Sequence, residues 1–392
     1  MNVDAEWQRR TTVGVPRENG GETRVALVPA VIPQLVRSGL RVVVERGAGN
    51  SAGFPDGAYE THGGALVERP DVLDADIVVR VRGWGVDDRD GRSGGHPDQI
   101  VIGMADPLGS PSAVRAAADR KLVAIALDLM PRITRAQPMD VISSQATVTG
   151  YRAVLLAADR LPKMFPMLTT AAGTIPPAQV FVVGAGVAGL EAIATARRLG
   201  AVVQGYDVRP AAQEEIESLG ARSVLLPLAP GDAQDASGYA KELGDAFYRR
   251  QQELLAEVVV GVDVVVTTAL IPGVTAPVLI TGHAVAGMQS GSVIVDCAAE
   301  RGGNCELTRP DRTVLTENGV TILGPTDLPS TVPHDASFMY AKNVAAFLGL
   351  ITRDGRPSLD EGDEIVRATL VTSGGHVVHR RVLEALEGVR DV

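Results

Sequence analysis

Residues 180–209, VFVVGAGVAGLEAIATARRLGAVVQGYDVR, restrict the fold more than any other stretch of the chain. Four apolar residues, Val180 to Val183, run into Gly184-Ala185-Gly186-Val187-Ala188-Gly189. A helical pattern follows from Leu190 to Leu199, and a second apolar run, Ala201 to Tyr206, ends at Asp207. Strand, glycine turn, helix, strand and acid in this order make the βαβ unit of a dinucleotide fold. Gly184 permits the tight turn, Gly186 lets the backbone approach a pyrophosphate, and Gly189 lets the helix lie close to the strand. The bland alternative is a tight α/β connection that binds nothing.

Asp207 falls 18 residues after Gly189, where a carboxylate can accept hydrogen bonds from the adenosine ribose hydroxyls. The same charge repels a 2′-phosphate, which predicts NAD(H) rather than NADP(H). Arg209 works against that preference if it pairs with a phosphate, and is otherwise a solvated charge at a strand end.

A length of 392 residues predicts about two domains, each with its own core. The net charge of −10 excludes nucleic acid and anionic membrane surfaces as main partners. Two cysteines, Cys297 and Cys305, make neither a disulfide framework nor a metal pair. The charged N-terminus has no signal-peptide core, and a cytoplasmic setting is expected. Val264 to Ala286 lacks acids, lysine and arginine, but Pro272, Gly273, Pro277 and His283 break it. Strand, loop and helix start fit it better than a membrane span.

Apolar strands alternate with amphipathic helices almost throughout, which predicts α/β architecture in two domains. Strands are expected at Thr12–Pro16, Arg41–Glu45, Ile77–Val81, Ile100–Met104 and Val123–Leu127. The second set is Val180–Val183, Val202–Tyr206, Ser223–Leu226, Val262–Thr268, Ser292–Asp296 and Val320–Leu323. The predicted domains are residues 1–145 plus 350–392, and residues 146–349. The second is a Rossmann domain with a six-stranded parallel sheet, the first a flavodoxin-like α/β domain, and long helices join them. The Gly83–Pro97 loop is expected to be a solvated surface excursion.

Three further segments can carry chemistry. Pro131 to Gln145 packs arginines, amides, a carboxylate and hydroxyls between a strand and a helix, although Asp140 and Ser143 could simply cap that helix. Val265 to Gly273 and Asp296 to Cys305 are strand ends running into loops, and either could be only a tight connection. None of the six histidines sits in a motif resembling a catalytic base with an orienting acid, and surface positions are expected for all six.

The pieces MPRITRAQPMD, GAGVAGLEAIATARRLGA, GYAKELGDAF, TTALIPG, GSVIVDCAAERGGNCELT and GVTILGPTDLPS together resemble the soluble NAD(H)-binding first domain of proton-translocating transhydrogenases. The resemblance runs from Val13 to Val371. It implies that Arg132, Gln137, Asp140 and Ser143 surround the nicotinamide, with Ile133, Thr134, Pro138 and Met139 beside them. It implies that Ala185, Gly186 and Val187 hold the pyrophosphate and that Asp207, Val208 and Arg209 hold the adenosine ribose. Gly238 and Tyr239 match a mobile loop that closes over nucleotide, and Gln251 and Leu270 match further contacts. The implied partners are an NADP(H)-binding beta subunit, membrane domains that couple hydride transfer to proton passage, and a second copy in a homodimer. The chain itself would not insert into the membrane.

Alanine dehydrogenase shares the pattern and is the rival reading. It needs a base where this chain has Ile102 to Pro107 without histidine, and a lysine near Arg80 or Arg82; only Arg24 remains. A catalytically silent NAD(H)-sensing subunit is the third reading.

Overall fold

The computed structural model describes residues 10–86, 95–228, 244–270 and 274–388. The chain divides into two compact units, residues 1–145 with 330–392, and residues 146–329. The expected boundary at residue 349 counts a helix over Ser337–Leu350, leading back to the first domain, with the second unit; the structure forms it as Pro333–Leu350 and groups it with the first. Its Tyr340, Val344, Phe347 and Leu348 are fully buried in the cluster that holds Leu27, Ile32 and Leu35. Periodicity shows that a helix is apolar, but not which core takes it.

In the first unit six strands run parallel: β1 (Thr12–Val15), β2 (Arg41–Glu45), β3 (Ala65–Val67), β4 (Ile77–Arg82), β5 (Ile100–Met104) and β6 (Val123–Ala126). They lie in the order β3-β2-β1-β4-β5-β6, and two antiparallel strands, Leu370–Ser373 and His376–Val377, extend the sheet beyond β6. This is the order 3-2-1-4-5-6, not the order 2-1-3-4-5 of the flavodoxin-like domain expected from sequence. The reason is β3, a three-residue strand too short to stand out in sequence, which adds beyond β2. Alternate residues of the strands bury on opposite faces, Val79 and Ile102 in one core and Val78 and Val101 in the other. The start of the Gly83–Pro97 loop is not solvated. Trp84 and Val86 pack into the core, and the Trp84 indole donates to the Ile125 carbonyl at 2.9 Å.

The second unit begins within the helix Val141–Arg160, and its first strands form a hairpin, β7 (Leu168–Thr170) and β8 (Gly173–Ile175). Then come β9 (Gln179–Val183), β10 (Val202–Tyr206), β11 (Arg222–Ser223), β12 (Val264–Thr267), β13 (Val293–Asp296), β14 (Thr313–Leu315) and β15 (Thr321–Leu323). The sheet order is β11-β10-β9-β12-β13-β15-β14. The first six are parallel and β14 pairs antiparallel with β15, so the sheet has seven strands rather than six. The uncharged stretch after Val264 resolves into β12 and a helix at Gly282–Ala286, capped by the Thr281 hydroxyl, which accepts from the Ala284 N–H. Among the described residues no helix is long and apolar enough to cross a membrane.

Candidate functional site

The glycine turn leaves β9 at Val183; β9 is one of the two central strands among the six parallel ones of its sheet. Gly184 has φ +94°, a left-handed conformation that L side chains rarely adopt, and a Cβ there would sit 2.8 Å from the Thr268 hydroxyl. A Cβ on Gly189 would run into the Gly184 carbonyl oxygen. Both glycines are therefore required by the chain's own packing. Gly186 is different: among the described residues, its chain neighbours aside, no atom lies within 4 Å of where its Cβ would be. It is the N-cap of the helix Val187–Arg198, and no side chain caps that end. Among the described residues the first-turn N–H groups thus have neither intrahelical partners nor a side-chain cap.

Asp207 follows β10 directly and is tied into this turn. One carboxylate oxygen accepts from the Ala185 N–H at 2.7 Å and from Arg209 Nη2 at 3.1 Å. The other accepts from the Arg209 N–H and Nε, each at 2.9 Å. A carboxylate offers about four acceptor positions, so a further donor would share an oxygen with one of these contacts. Arg209 also reaches the Ala185 carbonyl at 3.3 Å. Val208 is half-buried beside the pair.

Of the remaining residues expected in this unit, Leu270 is exposed, while Gln251 is buried and donates to the Tyr206 hydroxyl at 2.8 Å. Burial pushes the Tyr206 phenol up to about 12. Gly238 and Tyr239 lie outside the described residues, as do Ile271 to Gly273.

The segment Pro131–Ser143 belongs to the first unit. Its centre is a 3-10 helix, Thr134–Met139, with Ala136 and Met139 buried in the core. Arg132, Thr134, Gln137 and Pro138 are exposed, and Ile133 is half-buried. Asp140 does cap the helix Val141–Arg160: its carboxylate accepts from the Ser143 N–H at 2.9 Å and the Ser143 hydroxyl at 2.6 Å. Arg135 forms a two-bond pair with Asp363 at 2.7 and 2.9 Å, and the guanidinium holds that carboxyl down at about 2.

The segment Asp296–Cys305 is a fastening, as its plainer reading has it. Asp296 accepts from the hydroxyls of Thr267 and Thr308 and from the N–H groups of Ala298 and Cys305. Asn304 exchanges two hydrogen bonds with the Ala269 backbone and donates to the Pro277 carbonyl. Burial raises both thiols well above their ordinary value. In the first unit Arg24 is buried, paired with Glu22 at 2.8 and 2.6 Å and bonded to Gln145 at 2.7 Å. Its charge is matched within the chain.

Sequence reasoning missed Thr268, whose hydroxyl donates to the Gly184 carbonyl at 3.0 Å, and Asn343, which reaches the Pro138 carbonyl at 2.8 Å. The first lies in the TTALIPG segment and was open to notice; the second is one polar residue in an apolar helix and carries no pattern.

Residues 14–149 match the alanine dehydrogenase/PNT N-terminal domain, and residues 153–380 match the C-terminal domain of the same family. The chain is 42% identical over 373 residues to an NAD(P) transhydrogenase alpha subunit of Rickettsia prowazekii, covering 94% of this chain and 96% of that one. A crystal structure of transhydrogenase from Sinorhizobium meliloti superposes with a TM-score of 0.84 at 42% identity, over 94% of this chain and all of that one. Alanine dehydrogenase 2 of Staphylococcus aureus is 27% identical, with 96% of each chain covered. On two domain matches that span nearly its whole length, this chain belongs to the alanine dehydrogenase/PNT family.

Proposed function

We propose that this chain is the NAD(H)-binding subunit of a proton-translocating transhydrogenase. The observation that carries the reading is Gly186, a glycine that no contact among the described residues requires, at a helix N-terminus without a side-chain cap among them, next to two glycines that the fold does require. A residue kept small against empty space makes room for something outside the chain. The shape and the free N–H groups suit a pyrophosphate. Gly184, Ala185, Gly186, Val187 and Gly189 would hold it, and Asp207, Val208 and Arg209 would meet the adenosine ribose. The Asp207 charge disfavours a 2′-phosphate, although its pairing with Arg209 softens that effect.

Arg132, Gln137, Asp140 and Ser143, with Ile133, Thr134, Pro138 and Met139, form the nicotinamide end in this reading. Bound NADH supplies the hydride. The residues of this chain orient the carboxamide and keep water away; hydride passage between two nicotinamides takes no proton from a substrate carbon, so no general base is required. NADP(H) is held by a partner subunit, and membrane subunits couple the transfer to proton passage. Gln251, engaged by Tyr206, supports the site from behind.

The transhydrogenase relatives at 42% identity favour this reading over amino-acid dehydrogenation at 27%. The charge-matched Arg24–Glu22 pair agrees, because a substrate carboxylate needs a cation without an internal partner. Gly186→Val tests the reading. A Cβ there meets no atom of the described residues beyond its chain neighbours, so the melting temperature should move by no more than about 3 °C while NADH affinity, read by its fluorescence, falls at least tenfold. Unchanged affinity would remove the phosphate assignment.

A further inference from the structure

We propose that Asn343 is a positioning residue for the nicotinamide-facing segment: its single buried hydrogen bond to the Pro138 carbonyl sets the turn that presents Arg132 and Gln137. The inference rests on the proposed function of that segment. Asn343 lies on the helix Pro333–Leu350, whose neighbouring Tyr340, Val344 and Phe347 are fully buried. Asn343 itself is 8% exposed. Its Nδ2 donates to the Pro138 carbonyl at 2.8 Å, and its Oδ1 has no hydrogen-bond partner among the described residues.

A half-satisfied amide in a core is worse for stability than an apolar side chain of similar size. Packing therefore does not account for asparagine at this place, and the donor does. The carbonyl it holds belongs to the 3-10 helix Thr134–Met139, which lies one residue before Asp140. The turn is fixed on both sides of Gln137. Before it, Arg135 is clamped to Asp363 and Ala136 is buried; after it, Pro138 is held by Asn343 and Met139 is buried. Gln137 is left as the outward residue of a turn with little freedom. Proximity effects are steep, and a displacement of about 1 Å can lower a rate by about a hundredfold.

The test uses Asn343→Asp in the full chain, mixed with a transhydrogenase NADP(H)-binding domain. Single-turnover hydride transfer is measured from pH 6 to 8.5, with NADH affinity read by fluorescence and folding checked by the buried Trp84. At pH 8 the introduced carboxylate accepts but cannot donate, so the rate should fall at least tenfold while affinity stays within threefold. As pH falls the carboxyl gains a proton, its O–H again donates to Pro138, and the rate relative to the native chain climbs towards one. A ratio that stays flat with pH, a rate within twofold at pH 8, or an affinity loss equal to the rate loss would overturn the proposal. If Asn343→Asp does not fold, Asn343→Ser decides: slow transfer with native affinity supports positioning, and native transfer overturns it. A native chain that is inactive with the partner domain would instead overturn the proposed function.

Discussion

Counting the parallel strands alone, the two sheets share the order 3-2-1-4-5-6 and the same register at their centres, yet in the proposed function only one receives a phosphate. Val15 pairs with Val44 and Glu45 follows; Val183 pairs with Tyr206 and Asp207 follows. Each acid accepts the N–H of the residue two beyond the first strand, Arg17 for Glu45 at 2.8 Å and Ala185 for Asp207 at 2.7 Å. The difference lies in the third residue of the turn. The second unit has Gly186 there and a helix beginning one residue later. The first has Glu18, whose carboxylate accepts from the Val81 N–H at 2.6 Å, and its nearest helical turn starts only at Pro29. An internal acid lies in the turn of one unit, and open space lies in that of the other. Topology provides the switch point between the first and fourth strands, and the turn sequence decides whether a ligand can use it.

The acids at the second strands give the largest expected contrast. Asp207→Ala should weaken NADH binding by about thirtyfold or more, roughly 2 kcal/mol, by loosening Ala185 and Arg209 together. Glu45→Ala should leave NADH affinity within twofold. It should still destabilise the first unit by about 1–3 kcal/mol, since the Arg17 N–H and Arg69 lose their acceptor. Equal binding losses in both variants would break the comparison.

A smaller effect concerns Glu18. Burial pushes its carboxyl up to about 7, against the pull of Arg80. The protonated form suits the folded state, so this stabilisation is complete below about pH 4.5 and lost as pH rises through 7. Glu18→Gln keeps an acceptor for Val81 without charge. It should raise stability by about 1–3 kcal/mol at pH 8 and leave it unchanged at about pH 4.5, as followed by urea melts. A gain of the same size at both pH values would mean that the acid is not held proton-ready by its surroundings.

Much of the second unit is legible in its sequence because the constraints there are local. Strand, turn, helix, strand and acid fall within 30 consecutive residues, and Gly189 answers to Gly184 five residues earlier, although Gly184 itself packs against the distant Thr268. The first unit hides more. β3 has three residues, the helix Pro333–Leu350 joins a core that includes Leu27, Ile32 and Leu35, some 300 residues earlier, and the Arg135–Asp363 pair closes over 228 positions. Trp84 enters the core from a segment whose Gly, Asp and Arg content reads as surface. The Asp140–Ser143 cap is legible too, as the alternative to a ligand role. The structure shows that cap, and the ligand role stands as part of the proposed function.

The most direct measurement is reduction of an NAD analogue by NADPH, first with this chain alone and then after adding a transhydrogenase NADP(H)-binding domain. Pyruvate and ammonium are left out. One nucleotide site per chain predicts no turnover alone and hydride transfer once the partner is present. No transfer in either mixture, with NADH still bound, would contradict the account.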